Sequence, residues 1–204
     1  MKPDEKVLCF ERKIISPKYI VRRGVFPMDE SQAREVFGSI NPCFVPRSRA
    51  EHDPGFKQCI PYVLVKSGAL FASYPRTGSE DRLHACWSLG FGGHVNHEDG
   101  VQAQGDFMGT LRAAIARELA EELPGAQFGL PRFLGLINEE ESAVGEVHLG
   151  FVFVSDIESG STLAVSDEIR QIEWVSQADA GQGVRTYELW SELALLLLGE
   201  QPQA

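Results

Sequence analysis

With 204 residues, 43% of them hydrophobic and 24% charged, the chain has the make-up of an ordinary globular protein, most simply one domain with a substantial core. Lys and Arg number 19 against 29 Asp and Glu, and the net charge of −10 argues against nucleic-acid binding through a broad basic surface. A small phosphorylated ligand stays compatible, because a bound metal supplies positive charge locally.

The four cysteines, Cys9, Cys43, Cys59 and Cys86, are dispersed and form no C-x-x-C pair, which argues against structural zinc and a disulfide framework. The charged start, Met1 to Lys6, is not followed by an apolar signal region, and no apolar run approaches the length of a membrane span. A cytoplasmic protein with reduced thiols and no membrane partner is the expectation.

In chain order, residues 7–26 alternate loosely and predict one or two short strands. Residues 28–37, with Asp29 as cap and Ala33, Val36 and Phe37 on one side, predict a short helix that Asn41-Pro42 and Pro46 interrupt. Residues 46–57 read as a loop. Arg47, Arg49 and Lys57 make it the most basic stretch, read first as solvated surface and second as a reach toward the terminal phosphates of a substrate. Residues 60–66 and 69–74, joined at Ser67-Gly68, predict a β-hairpin, followed by a polar loop over 75–82.

Residues 87–91 read as extended and lead into Gly92-Gly93, where backbone can come close to a ligand or a helix. A dinucleotide-binding turn does not fit here, because Val95 follows where a third glycine belongs and no helix starts at once; no Gly-Lys-Ser/Thr phosphate loop exists either. His94 and His97 can contact metal or phosphate, though a hydrogen-bonded structural role is the simpler reading for each. Residues 98–105 read as a loop.

The helix expected over 110–123, capped by Asp106 or Thr110, carries the chemistry. At about 100° per residue, Glu118, Glu121 and Glu122 fall in one sector, being spaced i, i+3 and i+4. Leu111, Ile115, Leu119 and Leu123 form an apolar stripe whose edge Glu118 and Glu122 overlap, so the acids look inward. Carboxylates gathered against a protein body are costly to desolvate unless they protonate or a cation sits among them, and a hard divalent ion suits oxygen ligands. Arg117 can pair with Glu121 along the helix. Taken alone, so short a string is better read as a charged helix flank without metal.

Beyond the helix, residues 129–137 and 144–154 predict two paired strands, the second the longest in the chain, separated by the acidic turn Glu139-Glu140-Glu141. Residues 169–175 suggest a last short strand, with Ser176 to Asp179 opening a loop or cap. Residues 187–198 predict a helix whose Leu195 to Leu198 run covers more than one face, for burial within the monomer or against a second copy in a homodimer. The mixture of strands and helices indicates an α/β or α+β layered fold.

The string Arg117-Glu118-Leu119-Ala120-Glu121-Glu122, entered through Ala114-Ile115-Ala116 and downstream of Gly92-Gly93-His94-Val95, resembles the signature of the Nudix hydrolase family, G-x5-E-x7-R-E-U-x-E-E-x-G-U with U a bulky aliphatic residue. Counting from Gly93 puts the pattern's arginine at Phe107, so the connection here is ten residues longer. Counting back from Arg117 puts Gly109 where the pattern has its first Glu; Asp99, Glu98 or Asp106 substitutes for it, or its supporting role is lost. Leu123-Pro124-Gly125 displaces the final glycine by one residue.

The resemblance covers residues 59–199, with 1–58 as an N-terminal extension. It implies an α/β/α sandwich with a mixed sheet and a MutT-like hydrolase acting on a diphosphate linkage in a nucleoside diphosphate derivative or related metabolite. Glu118, Glu121, Glu122 and Gly93 would then hold Mg²⁺ or Mn²⁺, Arg117 would orient the carboxylates, and Gly92 and Gly93 would shape the loop that meets metal and substrate; Arg47 and Arg49, outside the region of resemblance, are the substrate-binding candidates of the basic stretch. A water-activating residue outside the signature is sought among Glu139, Glu140 and Glu141, with Glu140 the central candidate; three solvated glutamates are the plainer alternative. Two other functions fit the fold: a binding module that has lost catalysis, and isoprenoid diphosphate isomerisation, for which Cys86 is the only nearby thiol.

Overall fold

The computed structural model describes residues 5–76, 86–157, 164, 166, 169, 171–183 and 185–201. The strands in chain order are β1 (Lys6–Glu11), β2 (Arg23–Pro27), β3 (Cys43–Pro46), β4 (Phe56–Ser67), β5 (Leu70–Pro75), β6 (Trp87–Ser88), β7 (Gly90–Phe91), β8 (Arg132–Glu139), β9 (His148–Asp156) and β10 (Glu173–Ser176). The helices are α1 (Glu30–Gly38), α2 (Arg47–Ala50), α3 (His97–Gln102), α4 (Phe107–Glu122), α5 (Ala143–Val147), α6 (Gln177–Gly181) and α7 (Leu189–Gly199).

The sheet runs β10-β5-β4-β9-β8-β2 and is mixed: β4 and β9 are parallel, and the other pairs on this path are antiparallel. Period-2 alternation divides the side chains of the central strands between two cores. Cys59, Val63 and Val65 of β4 with Leu149, Phe151 and Phe153 of β9 pack with the α4 side, against Leu111, Ile115 and Leu119. Tyr62 and Leu64 with Val152 and Val154 pack with the α7 side, against Leu193, Ala194 and Leu197. In β8 a bulge at Phe133–Gly135 shifts the alternation, so Phe133 and Leu136 share the first core while Leu134 and Ile137 join the second. The result is the expected α/β/α arrangement. Each core leucine or isoleucine of α4 contributes about 1.5–3 kcal/mol by leaving water.

The β4–β5 hairpin forms as expected, turning at Gly68 with φ of +58°. Helix α1 starts as expected at Asp29, whose side chain accepts from the Gln32 amide at 2.8 Å while Gln32 returns a bond to the Asp29 amide. The first 58 residues are woven into the sheet: β1 pairs with β3 and with the start of β4, and β2 pairs with β8. Of the helix over 187–198, Leu193, Ala194 and Leu197 are buried within the monomer and Leu196 is 61% exposed. Among the described residues no helix is long and apolar enough to cross a membrane. The polar loop read over 75–82 lies, from residue 77 on, outside the described residues.

Several boundaries differ from the pattern reading. The stretch read as a loop over 98–105 begins with helix α3, and the basic stretch over 46–57 opens with α2. The strand expected over 144–154 begins only at His148, and the longest strand is β4, with 12 residues. Residues 143–147 turn instead into α5, capped by Ser142, whose hydroxyl accepts from the Gly145 amide at 2.9 Å. Lys57, read as surface, is fully buried. Its ammonium donates to the carbonyls of Gly145 at 2.7 Å and His148 at 3.1 Å, to Asn138 at 2.9 Å and to Glu140. These bonds tie the end of α5 and the start of β9 to β4 and β8.

Candidate active site

The Gly92-Gly93 turn and helix α4 meet face to face. A Cβ on Gly93 would lie 2.6 Å from Glu118 Oε1 and 2.8 Å from its carboxyl carbon, so only glycine lets this carboxylate rest on the loop backbone. Gly92 adopts φ of +149°, and a Cβ there would meet the Pro61 carbonyl oxygen at 2.0 Å. Gly93→Ala is therefore expected to displace the Glu118 carboxylate and reduce turnover by at least about 10-fold with the fold retained, measured as kcat beside a circular dichroism melt. Wild-type kcat in this variant would contradict the assignment.

Arg117 locks the arrangement. Its guanidinium donates to Glu118 at 2.7 Å, to the His94 carbonyl at 2.8 Å and to Asp99 at 3.0 Å. Asp99 is 3% exposed and also accepts from the Asn96 amide at 2.8 Å, so its carboxylate both starts α3 and anchors the arginine. Of the three acids considered in place of the missing signature glutamate, Asp99 is the one paired with Arg117. Asp106 caps α4 through the Gly109 amide at 2.7 Å, and Glu98 is exposed. The acid thus keeps its spacing from Gly93, and the longer connection lies between it and Arg117.

Burial pushes the Glu118 carboxyl above its ordinary value, against the opposing pull of Arg117 and with the nearby Glu121 and Asp99 charges adding to the rise. Glu121 is 62% exposed, with Arg117 at 3.8 Å. Glu122 is half-buried on the side of Tyr74, whose pKa is raised by burial and then by the Glu122 charge. The Tyr74 hydroxyl donates to the Gly90 carbonyl at 2.8 Å and so braces the same glycine turn. Among the described residues, no three His, Cys, Asp or Glu side chains converge on a ready-made ion site. The three helix carboxylates line one sector without meeting at one point.

Other residues proposed from the sequence fall elsewhere. Arg47 pairs with Glu51 at 2.7 Å and Glu5 at 3.1 Å, and its charge reaches His94. Burial, followed by Arg47 and His148, brings the His94 pKa down to about 4. Arg49 instead pairs with Asp53 at 3.3 Å and lies over the Phe56 ring, lining a different surface groove. His97 packs edge-on against Phe44.

In the acidic turn, Glu141 pairs with Arg22 and Arg23, and Glu139 is buried, accepting from the amides of Glu141 and Ser142. Glu140, read as the candidate to activate water, pairs with Lys57 and Arg12. Burial opposes its charge, but the hydrogen bonds from Lys57, Arg12 and Asn138 outweigh this and hold its pKa below the ordinary value.

No family model matches the sequence. The chain is 33% identical to Protein YmaB of Bacillus subtilis strain 168 over 208 aligned positions, covering 97% of this chain and 98% of that protein. It also superposes on the crystal structure of Tm1382, provisionally described as a Nudix hydrolase, with a TM-score of 0.76 and 26% identity, covering 95% of this chain and 98% of the other. The chain belongs to the Nudix hydrolase family. A MutT protein from Methanosarcina mazei Go1 shares the Nudix fold over 71% of this chain and 95% of its own, with a TM-score of 0.51 and 21% identity. Helix α4 carries the string that resembles the family signature.

Proposed function

We propose that this Nudix protein hydrolyses a diphosphate linkage in a nucleoside diphosphate derivative or a related phosphorylated metabolite, using Mg²⁺ or Mn²⁺. The observation that carries the reading is the Glu118 carboxylate seated on Gly93 and held there by Arg117, itself anchored by Asp99 and the His94 carbonyl. The donor set fits a hard divalent ion: Glu118, Glu121 and Glu122 supply oxygen ligands, and the Gly93 carbonyl belongs to the turn that Glu118 touches. Glu118 is partly desolvated, and a cation relieves that cost. Glu121 is exposed, so its rotamer can change on binding at small cost. When bound, such an ion neutralises phosphate charge and lowers the pKa of water.

The chain's own residues then orient and hold. Arg117 fixes the Glu118 carboxylate in direction as well as charge, and Asp99 fixes Arg117. Arg47, paired with Glu5 and Glu51, and Arg49, paired with Asp53, are both neutralised by carboxylates and take no part in this reading. Glu140 suits a structural role, since its charge is matched by two cations. A cytoplasmic location belongs to the same proposal.

The test is turnover of nucleoside triphosphates, dinucleoside polyphosphates and nucleotide sugars with Mg²⁺ or Mn²⁺. Metal-dependent release of product is the expected result. Silence across the panel, combined with a rise in melting temperature on adding nucleotide, favours the binding module instead. Asp99→Asn separates the positioning chain from the ligands. It is expected to lower kcat about 10–100-fold with a small change in KM, while Asp99→Glu recovers part of the loss. Equal activity in wild type and Asp99→Asn would remove Asp99 from the account.

A further inference from the structure

Behind the glycine turn, on the opposite side from the α4 carboxylates, two histidines face each other. His94 follows Gly93, and His148 opens β9; their Nε2 atoms are 3.5 Å apart and their ring centroids 5.6 Å. His148 Nδ1 lies 2.6 Å from the Val144 carbonyl, so Nδ1 carries the proton in that bond and the Nε2 lone pair points at His94. A carbonyl bond to the remote nitrogen is the usual device that orients a metal-binding imidazole. The separation is longer than an ordinary hydrogen bond between nitrogens. It is close to the ~3.3–3.4 Å between two ligands that sit about 2.0–2.1 Å from one tetrahedral ion.

A second observation points to the same space. Gln58 is fully buried, and neither its amide oxygen nor its amide nitrogen has a hydrogen-bond partner among the described residues. It stands directly beside His148 in the parallel β4–β9 register, so the two side chains leave the sheet on the same face. Buried amides are nearly always satisfied, and an orphan of this kind marks a place for a polar occupant. The neighbouring Arg47 charge is matched by Glu5 and Glu51, so an ion near His94 meets no unbalanced positive charge.

We infer that His94 Nε2 and His148 Nε2 form a binding site for a borderline divalent transition-metal ion such as Zn²⁺, with the Gln58 amide oxygen and water completing its coordination. The site is separate from the oxygen-ligand set on α4 and differs from it in chemistry: imidazole nitrogen selects Zn²⁺ or Cu²⁺ over Mg²⁺. It does not depend on the proposed hydrolysis.

The experiment is calorimetric titration of the whole chain with Zn²⁺ in excess Mg²⁺, for wild type, His94→Ala, His148→Ala and Glu121→Gln. Expected is one Zn²⁺ per chain in wild type and in Glu121→Gln, with affinity reduced at least 10-fold in each histidine variant. Zn²⁺ binding that survives both histidine changes, or that vanishes in Glu121→Gln, assigns the ion to the carboxylates and overturns the inference; absence of Zn²⁺ binding in wild type overturns it also. Should a histidine variant fail to fold, imidazole nitrogen NMR of the wild type decides. Zn²⁺-dependent shifts of both Nε2 signals support the site, and unmoved signals refute it.

Discussion

Glu121→Gln is expected to reduce metal-dependent turnover by at least about 10²-fold while leaving the melting temperature within experimental error of wild type. The two halves of this result rest on different facts. Glu121 is 62% exposed and its ion pair with Arg117 is long, at 3.8 Å, so the side chain contributes little to the fold. A residue with so little structural work loses activity on an isosteric change only if its charge is needed for function. Glu118→Gln gives a less clean result, because the same carboxylate is seated on Gly93 and bonded to Arg117. Unchanged kcat in Glu121→Gln would place the ion elsewhere.

The largest effect on stability is expected at Lys57. Its side chain is 0% exposed and its ammonium donates to Asn138, Glu140 and the carbonyls of Gly145 and His148. Lys57→Met keeps the volume and removes every one of these bonds. Removing one partner of a buried pair costs about 3–5 kcal/mol, because the groups that the ammonium served stay largely out of water. For a chain of this length the fall in melting temperature is roughly 6–20 °C. Adding Glu140→Gln to Lys57→Met is expected to restore part of the loss, since it removes the charge that then faces methionine and, among the described residues, keeps only Arg12 as its ion-pair partner. A single variant as stable as wild type would contradict the account of α5, which these bonds hold in place.

Much of this architecture is legible in the sequence because local chemistry and global fold agree. Asp29 caps α1, Gly68 turns the hairpin, and the apolar stripe of α4 buries the face that its spacing dictates. The Gly93–Glu118 approach is legible too, since a glycine pair upstream of an inward acid suggests close contact. Asp99 is partly legible: it stands six residues past Gly93, where the family pattern puts its acid, but the extended connection leaves its contact with Arg117 unresolved until α3 is seen.

What the sequence hides depends on distant chain segments. Lysine is rarely buried, and Lys57 is buried only because β8 and the turn before β9 bring acceptors from more than 80 residues away. Helix α3 is short and contains Gly100, so its pattern reads as loop. His148 carries no motif. Its meeting with His94 comes from the register of β9 and the course of the glycine turn.

The most direct measurement is Mn²⁺ binding followed by electron paramagnetic resonance, in wild type and in Glu121→Gln and Glu122→Gln. The account predicts that wild type removes the free Mn²⁺ signal at stoichiometric ratio, that each substitution weakens binding at least about 10-fold, and that Mg²⁺ competes. Binding that is equal in all three proteins, or absent from wild type, would contradict a metal centre built on α4.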